Sequence, residues 1–151
     1  MRKTSILFLK LSILFVSVPL ILLASYGLYS LMLNPVNPAY TWMLYPIIAG
    51  VYLSLIPLLW IFFHLYKLLG LVEEKSGSET KNRVLRKLRK GSLFFGGLYL
   101  LTEPFVFQAA QEDDAPGLIL FFMIPVFFAL VFSALLTLFL DKEDAAGQNR
   151  F

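Results

Sequence analysis

Long apolar stretches alternate with short polar ones along this chain. Four of the apolar stretches, 11–33, 42–63, 92–110 and 115–140, are long enough to cross a bilayer as helices. About 20 residues at roughly 1.5 Å rise per residue cover the roughly 30 Å hydrocarbon layer. Between Leu11 and Phe63 no side chain carries a formal charge. The pattern predicts an all-α fold: a single four-helix transmembrane bundle over residues 1–151, with a basic loop at 67–91 and a polar tail at 141–151.

Small residues recur at helical spacing within these spans: Gly50 with Ser54, Ser92 with Gly96, and Ala129 with Ser133 and Thr137. In lipid such stripes allow close helix approach, by default with a left-handed crossing of about 20°. The same stripes would equally serve a second copy of the chain, so a homo-oligomer stays open. Pro19, Pro46, Pro57 and Pro125 fall inside or near the ends of spans, where neighbouring helices can satisfy the carbonyls they free. Asn34 to Pro38 carries two Asn-Pro turn signals, suited to a short connection.

Charge sets the orientation, because Lys and Arg close to span ends stay on the cytoplasmic side. All 13 basic residues precede the first span, lie between the second and third, or follow the fourth. The connections Asn34 to Thr41 and Gln111 to Asp114 hold none, and the latter carries Glu112, Asp113 and Asp114. Both termini and the basic loop are therefore expected in the cytoplasm of a multi-pass cell-membrane protein. Tyr29, Tyr40, Trp42 and Tyr45 would mark the outer interface, and Trp60 with Tyr66 the inner one. A cleavable signal peptide is the rival reading of the N-terminus, but the first apolar run continues past the weak site at Leu22-Leu23-Ala24 and is expected to stay.

Composition narrows the function classes. With 58% hydrophobic and 15% charged residues and a mean hydropathy of +0.74, no separate soluble domain fits beside four spans. The absence of cysteine removes thiol nucleophiles and Cys-based zinc sites, and one histidine cannot build a multi-histidine metal centre. No cofactor and no metal are expected.

Glu103 is the one acid inside a predicted span, about seven residues or roughly 10 Å below the outer boundary. An ionisable group at such depth is costly and usually faces the bundle interior, where it marks a site. Tyr99 lies one helical turn before it, and Tyr26, Tyr45 and Tyr52 reach similar depth. The functional reading is a proton-titratable or cation-coordinating site lined by tyrosines. The structural reading is a carboxyl group that staples helices and offsets the carbonyl freed by Pro104. His64 lies near the inner end of its span, and helical rise puts it roughly 20 Å from Glu103 in height. No acid-base dyad assembles from this inventory, so an enzyme is not expected.

Asp113-Asp114-Ala115-Pro116-Gly117 reads as the start of the fourth helix, with Asp capping amide donors and Pro in the first turn. The alternative is that Glu112, Asp113 and Asp114 gather an external cation or a basic peptide. In the basic loop, Ser76 and Glu79 have capping-box spacing, and a helix beginning there should run into the third span. Arg83, Arg86, Lys87 and Lys90 fall on one side of it, with Val84, Leu85 and Leu88 on the other. Such a face either retains topology and attracts anionic lipid headgroups or docks an acidic partner. No direct nucleic-acid contact is expected.

The stretch DDAPGLILFFMIPVFFALVFSALLTLF, with YPIIAGVYLSLIPLLWIFFHLYKLLGLVEE from Tyr45 to Glu74, resembles the bacterial membrane proteins grouped as domain of unknown function 2975. The Tyr-Pro entry to the second span, the Lys-Leu-Leu exit and DDAPG carry the resemblance most clearly. Family members commonly have an Asp-x-x-x-Ala-Phe-Ser loop beside the second span, and Glu73 to Glu79 departs from it here. The resemblance implies a four-span bacterial inner-membrane protein. It also implies a small helix-turn-helix regulator as partner, since such genes often stand beside one. The expected function is non-enzymatic, a sensing, regulatory or protective membrane component in which the outer acids and Glu103 receive a stimulus and the basic helix reports it. The alternative is a small oligomeric transporter or channel with Glu103 on its path.

Overall fold

A backbone in hydrocarbon must satisfy its own amides and carbonyls, and helix is the local solution open to runs of this length. In the computed structural model the chain forms α1 (Arg2–Leu33), a 3₁₀ turn (Pro38–Tyr40), α2 (Thr41–Glu73), α3 (Ser78–Glu112) and α4 (Gly117–Gln148). The structure describes residues 2–74 and 77–148, and side chains over 4–74 and 77–142. All four helices contain a segment long and apolar enough to cross a membrane. Proline lies within each of them, at Pro19, at Pro46 and Pro57, at Pro104, and at Pro125.

The basic segment read as a loop over 67–91 is almost entirely helical. α2 runs to Glu73 and α3 begins at Ser78, so the connection is a few residues long. The cause is apolar packing beyond the spans: Val84, Leu85 and Leu88 join Ile61, Leu136 and Leu140 in one cluster, with Leu65, Leu68 and Leu71 against it. Gly77 occupies the N-cap of α3 and makes no side-chain cap bond. Ser76, the expected cap, lies outside the described residues, as do Lys75 and Arg150.

The helices stand in chain order. α3 packs extensively on both α2 and α4, while among the described residues α1 leans on α2 alone. Buried α2 positions Met43, Ile47, Ser54, Pro57, Ile61 and His64, with Gly50 among them, step alternately by four and three. Val126, Ala129, Ser133, Leu136 and Leu140 do the same on α4. This seven-residue repeat is the one that packs helices with a left-handed crossing.

Small residues set the closeness of both seams. Gly50 faces the Thr102 methyl, and a Cβ on Gly91 would stand 2.7 Å from the Trp60 ring. A Cβ on Gly96 would meet that of Ala129 at 2.9 Å, and Ser92 donates to the Ala129 carbonyl at 2.8 Å. A second cluster, Met43, Ile47, Val106 and Ala109, closes the opposite end of the α2–α3 seam.

Candidate functional site

Two polar regions are built on α3, one at each end. Nearer the acidic turn, Glu103 shares a helical row with Gly96, Tyr99 and Ala110, the row that meets α4. Its Oε1 is buried and has no hydrogen-bond partner among the described residues. Tyr99 lies between Phe95, ring centroids 5.2 Å apart, and Phe122, at 6.2 Å, its ring tilted to both. An apolar groove of about 270 Å³ opens beside it, lined by Val51, Tyr99, Phe122 and Pro125 among others.

Of the tyrosines expected around Glu103, only Tyr99 is there. Tyr26 is 69% exposed on the outer face of α1. Tyr52 turns towards α1, and its hydroxyl donates to the Ala24 carbonyl at 3.0 Å. Tyr45 is also exposed. The physical reason is the helix order: α1 does not reach α3, and the α2 face bearing Tyr52 is the one that holds α1. A pocket ringed by tyrosines is thereby replaced by one acid on an aromatic row.

The acidic turn also differs from its expected role. Asp113 is the C-cap of α3, its amide donating to the Ala109 carbonyl at 3.1 Å. Asp114 has φ of 50°, in the left-handed region, and Ala115 donates back to the Ala110 carbonyl at 2.9 Å. That six-to-one bond after a left-handed residue is the helix-ending arrangement usually built on glycine. Among the described residues neither aspartate caps α4 through its side chain. Glu112, Asp113 and Asp114 thus stand at the negative end of the α3 dipole, where charge complementarity alone would not put them.

At the other end the exposed arc of α3 carries Arg83, Arg86, Lys87, Arg89 and Lys90. Val84, Leu85 and Leu88 are buried beneath it, Leu88 completely. Glu79 lies 3.7 Å from Arg83, an exposed pair that adds little. A groove of about 410 Å³ between α3 and α4 is lined by Arg86, Arg89, Lys90, Leu140 and Asp141.

Two further features escaped sequence reasoning. Lys10 of α1 pairs with Glu73 of α2 at 2.7 Å, with its ammonium 5.5 Å from the centre of the Tyr66 ring. His64 is buried in the α2 seam, donates from Nδ1 to the Trp60 carbonyl at 3.0 Å, and lies against the Trp60 ring at 3.9 Å. With Gly50 opposite Thr102, Glu103 lies about 20 Å from His64 along α2. No three His, Cys, Asp or Glu side chains among the described residues are grouped to hold a metal ion.

Residues 31–142 match the model of a family described as a protein of unknown function, DUF2975. Over almost its full length the chain is similar to the uncharacterized membrane protein YoaS of Bacillus subtilis (strain 168), with 27% identity across 159 aligned residues, 99% of this chain and 98% of the relative. No solved structure matches it. The matched region takes in α2 and α3 whole and α4 as far as Lys142. A membrane protein with four helices able to span the bilayer, this chain belongs to the DUF2975 family.

Proposed function

We propose that the protein is a non-enzymatic regulatory component of the bacterial cytoplasmic membrane, with both termini and the α2–α3 connection in the cytoplasm. Its receiving end is Glu103 with the acidic turn, and its reporting end is the basic arc of α3. One observation carries this reading: a single uninterrupted helix, packed between α2 and α4, bears both ends. A rigid element that contacts both neighbours can pass a change at one end to the other without a hinge. The separation of His64 from Glu103 supports a role without bond chemistry.

The basic arc fits an acidic surface on a small helix-turn-helix regulator, held at the membrane until a stimulus alters the α3 packing. The reading requires such a regulator in the gene's neighbourhood, and the test is its capture by the detergent-solubilised full chain. Wild type is expected to retain it. The variant R83Q/R86Q/K87Q/K90Q should bind about tenfold or more weakly, because opposite-charge steering is lost. Equal capture by both, or capture by neither with ion flux through the purified protein in liposomes, overturns the reading and favours a small transporter or channel.

A further inference from the structure

Charge gives way to apolar side chains after Lys90 on α3 and at Leu140, before Asp141, on α4. These two positions stand at one level, both lining the 410 Å³ groove of Arg86, Arg89, Lys90, Leu140 and Asp141, and where α3 and α4 span a bilayer this is the level at which phospholipid phosphates would lie. At about 3.6 residues per turn, Arg86 and Arg89 occupy the α4 side of the exposed arc and Lys87 the α2 side, while Arg83 and Lys90, seven residues apart, share its middle; of these two only Lys90 lines the groove. Leu93 follows Arg89 by four residues and Lys90 by three, so it stands directly below them. It is 46% exposed.

We infer that this groove seats the phosphate of an anionic phospholipid, with one acyl chain laid along Leu93. The Arg89 guanidinium presents a parallel pair of N–H donors suited to phosphate oxygens, and Lys90 adds a point charge beside it. Asp141 is an acceptor at the rim, suited to the hydroxyls of a glycerol headgroup. A charged groove with an exposed apolar side chain one turn below it on α3 distinguishes a seated lipid from general attraction to a basic surface. The inference stands without the regulator, since it needs only a membrane protein whose two helices end their apolar segments together.

The experiment uses delipidated full chain in mild detergent, titrated with dioleoyl phosphatidylglycerol and, separately, dioleoyl phosphatidylcholine and inorganic phosphate. Retained molecules are counted by native mass spectrometry. Phosphatidylglycerol is expected to be retained in preference to both. Replacing the groove pair, R89Q/K90Q, should weaken retention about tenfold or more, whereas R83Q/K87Q should leave it nearly unchanged. The charge-preserving R89K/K90R is expected to keep most of the binding, which separates loss of charge from misfolding. Equal loss in the two glutamine pairs, or equal retention of the two lipids, overturns the site. Binding of inorganic phosphate as tight as that of phosphatidylglycerol overturns its assignment to lipid.

Discussion

At the residue scale, what matters is how little room the seams leave. A Cβ on Gly50 would overlap the Thr102 methyl, whereas nothing lies within 4 Å of one on Gly70. Gly50→Ala is therefore expected to destabilise the protein by about 1–3 kcal/mol through overpacking. Gly70→Ala should stabilise it by about 0.5–1 kcal/mol, the usual gain of alanine inside a helix. Thermal unfolding of the purified protein in detergent checks both signs. Glu103 adds a case of opposite kind, a buried oxygen without a partner among the described residues. Glu103→Leu should raise the unfolding temperature, by about 1 kcal/mol or more in stability, because an unsatisfied polar group is exchanged for an apolar one. A fall instead would show that the carboxyl group holds the seam together. That Tyr99 shares a helical row with Glu103 was legible in the sequence, since spacing along a single helix fixes it. The direction in which Tyr26 and Tyr52 face was not, because it depends on which helix stands beside which.

At the element scale, α1 is the outlier. Only 6% of its most apolar window is buried, against 28% for α3. Its polar attachments to α2 include the Lys10–Glu73 pair, with Tyr66 beneath the ammonium, and the Tyr52 hydroxyl on the Ala24 carbonyl. Lys10→Ala should broaden the distance distribution between spin labels placed on α1 and α2, and the swap K10E/E73K should narrow it again. Unchanged distributions in Lys10→Ala would mean that apolar contact alone positions α1. The chain contains no cysteine, so introduced thiols carry the labels without background. Sequence counted Lys10 as a topology signal and nothing more. A partner 63 residues away becomes visible only once α1 is known to lie on α2. The helical character of 78–91 was legible from the amphipathic spacing of Val84, Leu85 and Leu88. The extension of α2 to Glu73 was not, because it rests on the cluster those residues form with Leu65, Leu68 and Leu71.

At the scale of the whole molecule, the two ends of α3 must lie on opposite faces of the membrane if this helix spans it. Single cysteines at Glu79 and Glu112, both exposed, should be labelled by an impermeant reagent from opposite sides of sealed vesicles. Labelling of both from one side would remove the basis for a receiving and a reporting end alike. The chain-order arrangement has one more implication. Because α1 stands at the margin, deleting it would leave the two tightest seams intact. If all four helices cross the bilayer, it would also change the number of crossings from even to odd, and α2 would then have to begin its passage from the other compartment. On that arrangement the first helix would act during biogenesis, delivering the rest of the chain to its starting side, more than in holding the finished assembly together.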